Sequence, residues 1–329
     1  MLGVFLIASM AVLGVTTLMG IITNFIIVAV NLADKVKGKN LSSSDLILVT
    51  LGMSNITFQF TMTANDFVSI LWSDLYFSDA VYAIFNALLF LPIFSSFWFT
   101  VCLCVYYCLQ IVIFTHPFLV RLKLGISKLV PWLLVASVFI SMAISIPALW
   151  STYRDDQNKN ISSNISSNQS LEKDVPKLSV IYMISSNILG CTLPLVLVAV
   201  SNGLIIYSLA INRNKEEKSK SEGRSPRTEA RERAARTVGS LLLLYMSFYI
   251  SEIIMFVDLF PPNSPGFCVC LMVIYIYSPA QSVILILGNP KLRKAFRSIL
   301  KILERWKQEK VKTPKIIFVT LKVHKTVGT

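Results

Sequence analysis

The sequence predicts an all-α membrane protein: a seven-transmembrane helix bundle with a short interfacial amphipathic helix after the seventh span. Three observations predict it. Hydrophobic residues make up 54% of the 329 positions and charged residues 15%, against roughly 25% charged in a soluble domain. Seven runs are free, or nearly free, of Asp, Glu, Lys and Arg: 1–33, 46–65, 80–120, 129–153, 178–212, 237–257 (broken only by Glu252) and 259–290. Each reaches the roughly 20 residues a helix needs to cross a hydrocarbon core, and none shows the alternation of a barrel strand. Finally, 27 of the 31 Lys and Arg fall in one set of alternate loops and the tail. That asymmetry predicts an extracellular N-terminus and a cytoplasmic C-terminus at the plasma membrane. The net charge of +13 is then a membrane-surface and partner feature, and a nucleic-acid partner is excluded.

The first span, about 4–32, begins so close to the N-terminus that it reads as a retained signal anchor with a very short extracellular segment. Asn24 and Asn31 lie a heptad apart on one face of it, as interhelical hydrogen-bonding groups do. The second span, about 44–70, opens on Ser44-Asp45, read as its N-terminal cap, and carries Asn65 and Asp66 near its far end. The third, about 80–114, is expected to close at His116-Pro117, because a residue before proline is steered away from helical angles; Arg121 and Lys123 follow in a cytoplasmic loop. The fourth spans about 128–150.

The outer loop after it, from about 150 to 177, is Ser/Asn-rich and reads as disordered. It holds N-x-S sequons at Asn160, Asn164 and Asn168, predicted to carry glycan, whereas the matching triplets elsewhere, Asn40-Leu-Ser and Asn55-Ile-Thr, fall in the cytosol and in lipid. The fifth span, about 179–212, is kinked at Pro194. The sixth, about 230–258, extends into the cytosol through a basic stretch and contains Glu252 within its apolar part. The seventh covers about 266–288. From 290 to 306, Leu292, Phe296, Ile299, Leu303 and Trp306 share one face among Lys and Arg, the pattern of a helix lying on membrane lipid. The membrane-spanning unit is thus 1–307, and 308–329 is expected to be a basic, disordered cytoplasmic tail.

Six cysteines stand at 102, 104, 108, 191, 268 and 270. With none in the loop after the fourth span, a bridge to that loop cannot form, so free structural thiols are expected. Nothing resembles an enzyme or a cofactor site: the only histidines are His116 and His324, and no phosphate-cradling glycine loop occurs. A small-solute transporter is the rival from another class, but it would favour an internal repeat and midplane charges.

Several segments resemble one receptor family in order and spacing. FWFTVCLCVYYCLQIVIFTHPFLVRLK at 97–123, LSSSDLILVTLGMSN at 41–55, the helix around Leu193-Pro194-Leu195, SLLLLY at 240–245 and SVILILGNPKLRKAF at 282–296 are similar to the bitter taste receptors, the taste receptor type 2 family of G protein-coupled receptors. A vomeronasal type 1 receptor is the alternative, disfavoured by SLLLLY and GNPKLRKAF. The chain departs from the family's usual residues at Asn55 (commonly Arg), Asn212 (often His), Arg231 and Arg236 (His and Lys) and Gln281 (usually His).

The resemblance implies a receptor that binds small bitter agonists between its outer helix halves and activates a gustducin-like heterotrimeric G protein. It implies a pocket lined by Trp98, Cys102, Asn65, Asp66, Phe248, Glu252 and Leu271. A carboxylate in a span is costly and faces the interior, so Glu252, with Asp66, is expected to favour cationic, amine-bearing agonists. The competing readings are a packing Trp98 and Cys102, and a protonated Glu252 bonded to a neighbouring helix. Tyr107, His116, Arg121, Lys123, Arg233, Arg236 and Lys291 are candidates for the G-protein face, although basic residues there also serve topology.

Overall fold

The computed structural model describes residues 2–38, 40–113, 116–154, 175–218, 226–257, 259–261 and 264–326, with the backbone alone at 2–9, 212–218, 226–227, 307 and 310–326. The three sequons at Asn160, Asn164 and Asn168 lie outside the described residues.

Among the described residues, seven helices are long and apolar enough to cross a membrane. They are α1 (Leu2–Val36), α2 (Ser43–Leu71), α3 (Asp79–Ile111), α4 (Pro117–Ser145, continued by a 3-10 turn Ile146–Leu149), α5, α6 (Pro226–Phe256) and α7 (Pro265–Gly288). The fifth is composite: Val180–Asn187, a π turn Ile188–Thr192, then Leu193–Lys218. An eighth helix, α8 (Pro290–Thr326), follows. α3 runs through the middle, packed on α2, α4, α5 and α6, while α7 closes the ring against α1 and α6. The surface that remains is apolar, with Trp132 74% and Ile181 81% exposed, as lipid-facing positions are.

Three local features depart from the sequence reading. Pro117 occupies the first turn of α4, where its missing N–H and fixed φ suit a helix start. The segment expected as a loop is therefore the first turns of α4, which begins at 117 rather than near 128, and α3 ends at Ile111. The cap of α2 is Ser42, whose hydroxyl accepts from the Asp45 amide at 3.2 Å, not Ser44. α8 continues as helix to Thr326, past the expected end near 306 and through Pro314.

Small residues set the closest approaches. A Cβ on Gly52 of α2 would sit 2.9 Å from Val28 Cγ2 and 3.3 Å from the Asn24 carbonyl oxygen on α1, so glycine lets these backbones come together. The loop after α4 returns as a two-residue antiparallel pairing, Thr152–Tyr153 with Lys177–Leu178. Its base is pinned to the start of α3 by Arg154, which donates to Asp79 Oδ1 at 2.6 Å and to the Phe77 carbonyl at 2.7 Å. This end is the loop-bearing end of the bundle; the end carrying α8 is the basic end. All six cysteines are buried and unpaired.

Candidate functional site

The middle of the bundle is tied by a buried network without charge. Asn55 on α2 donates to Asn24 Oδ1 on α1 at 3.1 Å and to Gln281 Oε1 on α7 at 2.6 Å. Ser96 on α3 donates to Asn55 Oδ1 at 3.0 Å. Gln281 passes its own amide protons to Thr100 Oγ1 and the Tyr277 hydroxyl at 3.0 and 3.1 Å, and Asn24 donates to the Gly20 carbonyl at 2.8 Å and Ser278 Oγ at 3.3 Å. All three amides are essentially inaccessible. Each would be destabilising by about 1–3 kcal/mol if left unpaired, so pairing across four helices fixes their mutual register. Asn55 and Gln281, two of the positions where the chain departs from the family's pattern, bond to each other. The bond between α1 and α2 was foreseeable from Asn24 and Asn55; the role of Gln281 was signalled only by its being an unusual residue.

Towards the loop-bearing end, the seven ligand candidates fall in separate places. Phe248 on α6 sits in an aromatic cluster with Phe97, Tyr245 and Tyr277; Phe97 and Tyr245 stack at 4.0 Å between centroids. This cluster fills the bundle axis: a void beside Phe248 and Tyr277 measures only about 10 Å³. Glu252, one turn beyond, lies against the Cys191 thiol on α5, and its Oε2 is buried without a partner. Asn65, Asp66 and Leu271 come together at the α2–α7 corner. There Tyr275 donates to Asp66, Tyr76 donates to Asn65 Oδ1 at 2.8 Å, and Leu271 packs on the Phe58–Met62–Tyr275 cluster. Burial pushes the Tyr76 phenol up to about 12, so it stays a neutral donor. Cys102 faces α4, its Sγ 3.4 Å from Ser137 Oγ. Trp98 lines a cleft among α3, α4 and α5.

The distribution of unpaired polar atoms separates the two ends. Among the described residues, the buried side-chain atoms without a partner are Gln59 Oε1, Trp98 Nε1, Ser145 Oγ and Glu252 Oε2. None belongs to the basic end.

There the charges are spoken for by other parts of the chain. Lys291, at the start of α8, lies 2.8 Å from Asp34 Oδ2 and 3.3 Å from Asp45 Oδ2, and donates to Asn31 Oδ1 at 2.8 Å. It therefore joins α8 to α1 and α2. Lys123 on α4 donates to the carbonyls of Val112 and Gln110 at 3.0 and 3.3 Å, capping the last turn of α3. Arg233 pairs with Glu229 one turn away at 2.8 Å. His116, Arg121 and Arg236 are exposed, and Tyr107 is half-buried. The sequence reading missed Asn31, Asp34 and Asp45 as partners of Lys291; the signal was present as two isolated acids bracketing a lysine-rich loop.

The family model described as "Taste receptor protein (TAS2R)" matches residues 1–304. The chain belongs to the type 2 taste receptors, the bitter taste receptor family. It is 31% identical over 284 residues to taste receptor type 2 member 40 of Gallus gallus, covering 86% of this chain and 91% of that one. It is also 31% identical to member 39 of Macaca mulatta (292 residues; 88% and 86% of the two chains) and to member 9 of Homo sapiens (291 residues; 87% and 90%). The receptor is accordingly a multi-pass membrane protein of the G protein-coupled class and a signalling protein, not an enzyme. The vomeronasal and transporter alternatives fall away.

Proposed function

We propose that this taste receptor sits in the plasma membrane with its N-terminus outside and its C-terminus in the cytosol. It binds small bitter compounds between the outer halves of α2, α3, α5, α6 and α7 and activates a gustducin-like heterotrimeric G protein at the basic end. The observation that carries the ligand reading is Glu252: a carboxylate oxygen buried without a partner, within a span, at the loop-bearing end. A group so placed is held at a free-energy cost that an incoming donor would offset. Amine-bearing agonists supply such a donor. Their binding would part the aromatic cluster next to Glu252, and a bundle with two arrangements shifts toward whichever one the ligand prefers. On the G-protein side, the exposed His116, Arg121 and Arg236 offer contact surface, with Tyr107 behind them, while Lys123 and Lys291 brace the helices in the arrangement described and Arg233 pairs within α6.

The test is calcium release in cells co-expressing the receptor and a gustducin-like α subunit, screened with amine-bearing and neutral bitter compounds. Glu252→Gln is expected to abolish responses to amines and to spare neutral agonists. Equal loss of both classes, at normal surface expression, would reject the carboxylate's role.

A further inference from the structure

Trp98 meets α4 and α5, not the α2–α7 corner where Asn65, Asp66 and Leu271 lie. It forms part of the wall of a cleft of about 520 Å³ between α3, α4 and α5, with Ile140 and Ile144 on α4 and Leu189 and Leu193 on α5. Ser185, Leu189 and Leu193 follow one another at intervals of four along α5 and are all exposed, as are Ile140 and Ala143 on α4. The cleft therefore opens on the outer surface of the bundle, not toward its axis. Its rim belongs to two of the membrane-length apolar helices, so the opening faces hydrocarbon. Only a molecule dissolved in the bilayer reaches it.

The lining also specifies chemistry. No ionisable acid or base other than the Tyr182 phenol lines the cleft. The hydroxyl protons are committed to backbone: Tyr182 donates to the Ile144 carbonyl at 3.0 Å, Ser185 to Tyr182 at 3.0 Å and Ser186 to Met183 at 3.1 Å. The Trp98 indole N–H, by contrast, is buried without a partner, although a buried indole N–H usually has one. Among the lining residues, then, one side-chain proton is unspent. The volume is that of a small-molecule site.

We propose that this cleft is a second ligand site, separate from the interhelical agonist pocket. It takes an uncharged, lipophilic molecule from the bilayer and holds it through an oxygen acceptor on the Trp98 indole. A free small molecule and the ester carbonyl of a phospholipid share this chemistry.

Benzophenone, which is apolar, carries one carbonyl acceptor and is photoreactive, is a suitable probe. The full-length receptor in phosphatidylcholine nanodiscs is irradiated with it, and adducts are mapped by mass spectrometry. Adducts are expected to concentrate on the α4 and α5 walls of the cleft. Leu189→Trp, which fills the cleft, should remove them. Trp98→Phe, which keeps a ring but loses the N–H, should lower their yield about threefold to tenfold, the effect of one hydrogen bond. Discs of ether-linked lipid, which lacks the ester carbonyl, separate the sources. A severalfold rise in labelling there assigns the acceptor to displaced lipid, and unchanged labelling assigns it to the free molecule. Adducts spread evenly over the lipid-facing helices would overturn the site. Loss with Leu189→Trp but not with Trp98→Phe would overturn the role of the indole. Accessibility of the six buried thiols in each variant shows whether it has folded.

Discussion

Lys291 shows how one side chain can be mistaken for a surface charge. Its ammonium is shared by Asp34, Asp45 and Asn31 and is only partly exposed, so its attraction to the two acids is less screened than that of a surface pair. Removing it leaves two carboxylates facing each other. Lys291→Met, which keeps most of the stem, is expected to lower stability by about 1–3 kcal/mol, the range for hydrogen bonds to charged groups. Lys291→Arg should recover much of that loss. The measurement is the thermal midpoint of the detergent-solubilised receptor, reported by a thiol-reactive dye, since all six cysteines are buried until the bundle opens. An unchanged midpoint with lost signalling would instead make Lys291 a G-protein contact. The sequence displayed the charge of this residue but not its partners, which come from helices more than 240 positions away. Cys102 is a similar case. Its spacing from Trp98 places both on one side of α3, yet only packing shows that it meets Ser137 on α4.

At the scale of an element, the π turn of α5 couples three helices. Pro194 has no N–H to give the preceding turn, and the Cys191 carbonyl there accepts the Tyr245 hydroxyl of α6 at 2.7 Å. One residue on, Thr192 Oγ1 is 2.9 Å from the Tyr249 hydroxyl. One residue back, Gly190 lies so close to the Phe94 ring of α3 that any Cβ would collide with it. Gly190→Ala is therefore expected to push α3 and α5 apart and lower the unfolding midpoint, an overpacking loss of about 1–3 kcal/mol. Adding Phe94→Leu should restore part of the loss, because neighbours that collide do not behave additively; equal losses that simply sum would reject this contact. Pro194 marked α5 as irregular in the sequence, but the π turn at Ile188–Thr192 and its partners were not legible, since a wide turn leaves no mark on hydropathy. The start of α4 was misread for a related reason: His-Pro marks a boundary equally well as the end of one helix or the start of the next, and here Pro117 begins α4.

For the whole molecule, the span count was plain because crossing lipid imposes a one-dimensional constraint on composition. Which faces meet depends on helix rotation, which composition barely encodes, and so the ligand candidates scattered while the bundle itself was anticipated. What joins the spans at mid-depth is the network of Asn24, Asn55, Ser96, Thr100 and Gln281, drawn from α1, α2, α3 and α7. Its residues are neutral, so it holds the helices through directed hydrogen bonds and not through charge. Such a network should be cooperative. Asn55→Leu strands Asn24 Oδ1 and leaves Gln281 Oε1 and the Ser96 hydroxyl only each other, 3.4 Å apart, whereas Asn55→Leu with Gln281→Leu removes two buried amides at once. The double variant is expected to be less destabilised than the sum of the single ones, with a coupling of about 0.5–3 kcal/mol. A cycle of unfolding midpoints across the four proteins measures it. If the losses add, each amide acts alone, and the four helices keep their register by apolar packing instead.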